Sequence, residues 1–174
     1  AFVASMLVFA TLLSVGIHAR PGWADDGATD GPTPPTVTST RQLPNDITFA
    51  KLSNGLTVII QENHVAPVAT VRCYVRNTGG TFEGKYLGAG LSHLLEHVVA
   101  GGTTSKRTEK EIEKMIDRFG GATNAFTSSN LTCYFIDCPA KDAMTAIDLV
   151  ADSVQHIVFE QSEYERELAV VQRE

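Results

Sequence analysis

Two short runs, Leu56 to Gln61 and Val68 to Arg76, are rich in β-branched and aromatic residues and read as strands joined by a turn around Asn63 to Pro67. The pattern then changes from a period of two to a helical one. Leu91, Leu94, Leu95, Val98 and Val99 fall on one stripe at about 100° per residue, and Gly101-Gly102 stop the helix. A second helix opens at Thr108 with Glu111 as the partner of a capping box, turns Ile112, Met115, Ile116 and Phe119 inward, and ends at Gly120-Gly121. Ala122 to Thr127 and Leu131 to Cys138 read as a second pair of strands. After Pro139 a third helix carries Ala143, Ile147, Val150, Ala151 and Val154 at helical spacing. A fourth begins at Ser162 with Glu165 as its capping partner, and no stop signal follows it before Glu174. Two strands, two helices, two strands, two helices predict an α+β fold, a two-layer sandwich of helices on a mostly antiparallel sheet.

The amino-terminal part has a different texture. Ala1 to Ile17 contains no charged residue, and Gly22-Trp23-Ala24 places small residues before a potential cleavage point. Residues 1–24 therefore read as an export signal whose start is missing, with a retained membrane anchor through residues 1–17 as the alternative. On either reading the domain is exported, to a periplasmic or extracellular location. Residues 25–42 are rich in Asp, Gly, Thr and Pro and read as a disordered linker, so the folded domain, 43–174, is expected to start near Leu43.

A length of 174 residues with 43% hydrophobic content allows one core of ordinary size. The net charge of −6 argues against nucleic acid as a partner, because no basic cluster is longer than Lys106-Arg107. Cys73, Cys133 and Cys138 are odd in number and lack metal-binding spacing, so they read as small buried hydrophobes. Asn130-Leu131-Thr132 matches a glycosylation sequon, which matters only in a eukaryotic secretory route. His18, His64 and His156 have no clustered partners and read as structural or exposed.

The helix at 91–101 carries the chemistry. His93, Glu96 and His97 lie opposite its apolar stripe, with only Ala100 among them. Two imidazoles at i and i+4 can converge on one ion. A catalytic zinc takes three protein ligands and leaves a fourth position to water, and Glu96 lies to the flank, where a carboxylate can take a proton from that water. The third ligand must come from elsewhere. On the fourth helix Glu167 and Glu174 are seven apart, embedded among Tyr164, Leu168, Val170 and Val171. Carboxylates in an apolar stripe point inward and need a cation or a hydrogen-bond donor.

The segments Ser53-Asn54-Gly55-Leu56, Gly88-x-Gly90-x-x-His93-x-x-Glu96-His97, Gly102-Thr103, Gly120-Gly121-x-x-Asn124-Ala125-x-Thr127 and Glu167 to Glu174 together resemble the inverzincin peptidases of the pitrilysin, or insulinase, family, which includes mitochondrial processing peptidase. The likeness runs from about Leu52 to Glu174 and corresponds to the amino-terminal part of one half of such a peptidase. It implies that His93, His97 and Glu174 bind one Zn2+, that Glu96 activates the water, and that Glu167 is a supporting acid, where a plain salt-bridge role is the alternative. It also implies that Asn124 and Ala125 belong to a sheet edge whose main chain pairs with an extended peptide. The chain departs from the family at Val98-Val99-Ala100, where an aromatic residue is frequent before the Gly-Thr.

The implied function is a zinc-dependent endopeptidase acting on extended peptides or unfolded segments. Its chamber would be completed by a second homologous half on the same chain or a separate subunit, and the present segment is expected to be inactive by itself. The alternative of another class is a non-catalytic subunit that binds peptides or a sister subunit. Retention of all three ligands together with Glu96 argues against it.

Overall fold

Along β5 (Val68–Arg76) Ala69, Val71 and Cys73 are buried, and on β7 (Leu131–Pro139) Thr132, Tyr134, Ile136 and Cys138 follow the same alternation, which puts both rows on one face, with Cys133 buried on the other. The antiparallel register sets Ala69 against Cys138, Val71 against Ile136 and Cys73 against Tyr134, and all six are buried. That face forms the sheet side of the core. Val99, Ile112, Ile116, Ala146, Leu149 and Val150 close it from the helical layer. The chain thus makes the expected two-layer α+β sandwich.

The structure is a computed structural model that describes residues 34–174 and the backbone of residues 3–10. Its strands are β1 (Val3–Ala10), β2 (Val37–Leu43), β3 (Ile47–Leu52), β4 (Thr57–Asn63), β5, β6 (Ala122–Thr127) and β7. The helices are α1 (Leu91–Gly101), α2 (Glu109–Phe119), α3 (Ala143–His156) and α4 (Gln161–Val171). One seven-stranded sheet runs in the order β2-β3-β4-β1-β5-β7-β6, antiparallel except for the β1–β5 pair. β6 is an edge strand.

Three expectations change at the boundaries. The linker drawn over 25–42 is too long, because Val37–Leu43 is a strand paired with β3. Its Thr and Ser content mimics a tether, yet an exposed edge strand tolerates such residues, and Asn45 and Asp46 at φ 64° and 56° close its hairpin. β4 and β5 are joined as predicted but are not neighbours, since Val3–Ala10 lies between them. Five Cα steps of about 3.8 Å bridge two strand spacings of about 4.8 Å with room to spare. Part of the stretch read as a signal or anchor is therefore strand, while residues 1–2 and 11–33, His18 among them, lie outside the described residues. No helix among the described residues is long and apolar enough to cross a membrane.

The third change concerns α4. It starts at Gln161 after Glu160, with no side-chain cap, and Glu165 instead accepts a hydrogen bond from Gln161 Nε2 at 2.5 Å. α2, by contrast, opens on the predicted capping box of Thr108 and Glu111. α1 ends at Gly101 as its glycines predict. The three cysteines are buried and none is in a disulfide.

The loop from α1 to α2 is pinned to α3 by one buried acid. Asp152, 1% exposed, accepts from Thr104 Oγ1 at 2.9 Å and Arg107 Nη1 at 2.6 Å through Oδ2, while His156 Nδ1 lies 3.0 Å from Oδ1 without hydrogen-bond geometry. Burial pushes its carboxyl up, but the Thr104 and Arg107 hydrogen bonds and the Arg107 charge outweigh it, so it sits below the ordinary aspartate range. His156 is thus structural, as expected. This fixed loop leads straight out of α1.

Candidate metal centre

α1 is covered by β6 on one flank and by α4 on the other. Its core side is narrower than the sequence predicts: Val98 and Val99 are buried, whereas Leu91 and Leu95 are 44% and 42% exposed. Covering the opposite side has the reverse effect on Glu96, which is only 8% exposed. At the amino terminus of α1, Glu83 accepts from Ser92 N–H at 2.9 Å and Gly90 N–H at 3.2 Å. The Ser92 bond, more than the others, holds the Glu83 carboxyl below its usual range. A distant acid thereby satisfies donors that no local side chain caps.

His93 and His97 stack edge to face with ring centroids 4.8 Å apart, and their Nε2 atoms are 3.3 Å apart. Glu174 Oε2 lies 3.2 Å from His93 Nε2 and 3.5 Å from His97 Nε2. Three electron-pair donors therefore face one point. Donors bound at about 2.0–2.1 Å to one tetrahedral zinc lie about 3.3 Å from each other, so the observed triangle has the dimensions of such a site. Among the described residues it is the cluster of at least three His, Cys, Asp or Glu groups able to hold an ion. Glu174 reaches it from the turn after α4, not from the shared helical face that the seven-residue spacing suggested.

Glu167, on α4 itself, takes a different place. Its Oε2 lies 3.3 Å from His97 Nδ1, and its Oε1 accepts from Arg166 Nε at 2.9 Å. Arg166 also reaches Glu109 at the start of α2, with Nη2 to Oε1 at 2.6 Å. The bonds to Glu167 and then Glu109 hold the Arg166 guanidinium more firmly protonated than usual. The His97 tautomer that donates Nδ1–H to Glu167 leaves the Nε2 lone pair directed at the triangle.

Beside the triangle is a cleft of about 290 Å³ lined by Glu96, His97, Ala100, Thr123, Asn124 and Ala125, among others. Glu96 Oε2 is buried there without a hydrogen-bond partner in the protein. Such an atom is costly unless a ligand or solvent satisfies it. Burial, followed by the nearby Glu96 carboxylate, drives the Tyr134 phenol far above its ordinary range, so the ring stays neutral. Asn124 and Ala125 lie on the edge strand β6, and the Asn124 side chain accepts the Ala125 N–H at 2.8 Å. The predicted site residues His93, Glu96, His97, Glu167, Glu174, Asn124 and Ala125 thus lie in the triangle or along the cleft beside it. Sequence reasoning missed Glu163 and Arg166, which reach Thr103 and Glu109 across 60 and 57 residues, and Glu83, whose bonds to Gly90 and Ser92 fit no helical or strand period.

Two facing imidazoles, a carboxylate and a buried orphan acid beside a sheet edge define a metallopeptidase-like centre. The chain belongs to the insulinase family of peptidases, family M16, whose model matches residues 57–174. It is 34% identical over 121 residues to the uncharacterized zinc protease YmxG of Bacillus subtilis, covering 70% of this chain and 29% of that protein. It is 37% identical over 123 residues to the beta subunit of the mitochondrial-processing peptidase of Neurospora crassa, covering 71% of this chain and 25% of that one. A protease from Helicobacter pylori of known crystal structure superimposes with a TM-score of 0.55 at 25% identity, over 79% of this chain and 30% of that one. The chain spans less than a third of the length of these relatives.

Proposed function

We propose that this chain supplies the zinc-binding wall of an endopeptidase that cleaves extended peptides or unfolded segments. The observation that carries the reading is the triangle of His93 Nε2, His97 Nε2 and Glu174 Oε2, with edges of 3.2 to 3.5 Å. These three residues would hold one Zn2+, which when bound makes water more acidic and polarises a carbonyl. Glu96 takes a proton from the attacking water and returns it to the departing amine, and its buried, unpartnered oxygen suits a group kept for that transfer. Glu167 orients His97. Asn124 and Ala125 receive the peptide as an added strand on β6, so that the main chain is read more than the side chains.

A second homologous half, on the same chain or a separate subunit, would form the facing wall, in keeping with a relative that is by name one subunit of a processing peptidase. The test is zinc analysis of the full-length protein together with cleavage of an unfolded polypeptide. One zinc per site and a loss of about 10²- to 10⁴-fold in kcat for Glu96→Gln, with zinc retained, support the reading. Cleavage unchanged by Glu96→Gln rejects it, and a protein that never takes up zinc points to the non-catalytic subunit.

A further inference from the structure

α4 carries Glu167 and leads to Glu174, yet it has no buried residue. Its apolar residues Tyr164, Leu168, Val170 and Val171 are only half-buried, so apolar packing alone fixes the carboxylates less firmly than it fixes the core. Polar ties add to it. Just ahead of α4, Val158 N–H donates to Thr103 O at 2.8 Å, and Ser105 N–H donates to His156 O at 2.8 Å. In the first turn of α4, Glu163 grips Thr103 with both oxygens: Oε2 accepts the backbone N–H at 2.9 Å and Oε1 accepts the side-chain O–H at 2.6 Å. Thr103 Oγ1 in turn accepts from Glu109 N–H, the first residue of α2, at 3.2 Å.

Thr103 follows α1 by two residues, so this grip joins the end of the histidine helix to the start of the helix leading to the third donor. Gly102 makes it possible. A Cβ there would stand 2.2 Å from the Val98 carbonyl oxygen, four residues back on α1, and 2.7 Å from Ile157 Cδ1, so a larger residue would push the chain away from the path that leads from α1 to Thr103.

We propose that Glu163 is a positioning residue for the metal centre: by clamping Thr103 it sets α4 so that Glu174 meets His93 and His97. The proposal rests on reading that triangle as a zinc site. Glu163 touches neither the ion nor the substrate and acts through Glu174. A bidentate carboxylate clamp is both strong and directional, and partners that orient ligands typically affect metal affinity by about 10- to 100-fold.

The experiment measures zinc affinity of the full-length protein by chelator competition in four forms: wild type, Glu163→Ala, Glu174→Ala and the double variant. Glu165→Ala, on the same helix, serves as the control. Glu163→Ala is expected to weaken zinc about tenfold or more, Glu163→Gln to recover part of the loss through its remaining acceptor, and Glu165→Ala to change nothing. In the Glu174→Ala background the Glu163→Ala change should cost nothing further, which general destabilisation of the domain would not reproduce. Equal losses in both backgrounds, or wild-type affinity in Glu163→Ala, overturn the positioning role while leaving the zinc site standing. If Glu163→Ala fails to fold, Glu163→Gln and its double variant with Glu174→Ala decide by the same comparison. Wild type without zinc affinity overturns the underlying reading instead.

Discussion

Glu167 holds His97 from behind: its Oε2 lies 3.3 Å from Nδ1, on the opposite side of the ring from the Nε2 that faces His93 and Glu174. Arg166 keeps the same carboxylate in place from the other oxygen. Glu167→Ala frees the ring to rotate and is expected to weaken zinc binding about 10- to 100-fold, read by chelator competition. Glu167→Gln, which can still accept from Nδ1–H, should lose less. Equal affinity for all three proteins would reduce Glu167 to a salt-bridge partner of Arg166.

The edge strand offers a second test. A peptide added along β6 must turn the Asn124 carboxamide away from the Ala125 N–H, after which that carboxamide can itself bond the peptide main chain. Asn124→Ala is therefore expected to raise KM severalfold with zinc content unchanged. Steady-state kinetics on an extended peptide check this, and a lower KM would mean that Asn124 merely shields the edge.

The loop after α1 depends on Asp152. Removing one partner of a buried ion pair leaves the other uncompensated, so Asp152→Ala should destabilise the domain by about 3 kcal/mol, measured by denaturant unfolding. Its folded carboxyl lies below the ordinary value of 3.8. The contribution of this group is thus complete above about pH 4 and disappears as pH falls through the depressed folded value. In acid titrations the variant and wild type should converge.

Glu83 makes a parallel case at the other end of α1. Its depressed carboxyl, bonded to Ser92 and Gly90 N–H, stabilises the folded form above the unfolded glutamate value near 4.5 and stops doing so as it is protonated. Glu83→Gln should lower the melting temperature by a few degrees at pH 7 and by progressively less at pH values below the unfolded one. A constant difference across that range would contradict the assignment.

What the chain discloses in its order of residues depends on distance. The histidine helix was legible because the i, i+4 imidazoles, the opposing aliphatic residues and the terminal glycines all lie within a dozen positions, and the Thr108–Glu111 cap was legible for the same reason. The exposure of Leu91 and Leu95 was not, since helical periodicity shows which residues share a face and leaves open which part of that face a neighbour covers. β2 was misread because its Thr and Ser are the residues of both tethers and solvent-facing edges. Glu163 and the Arg166–Glu109 pair were invisible because their partners lie 60 and 57 residues away, and Glu83 because the seven to nine residues between it and its partners follow no helical or strand period.

The absence of buried residues in α4 has a consequence for the life of the molecule. A segment secured by polar ties opens more readily than a sheet sealed by apolar packing, so α4 amides should exchange with deuterium well before those of β5 and β7 when zinc is withdrawn. Zinc held by His93, His97 and Glu174 would add one more tie between α4 and α1, and its addition is expected to slow that exchange in α4 while leaving β5 and β7 unchanged.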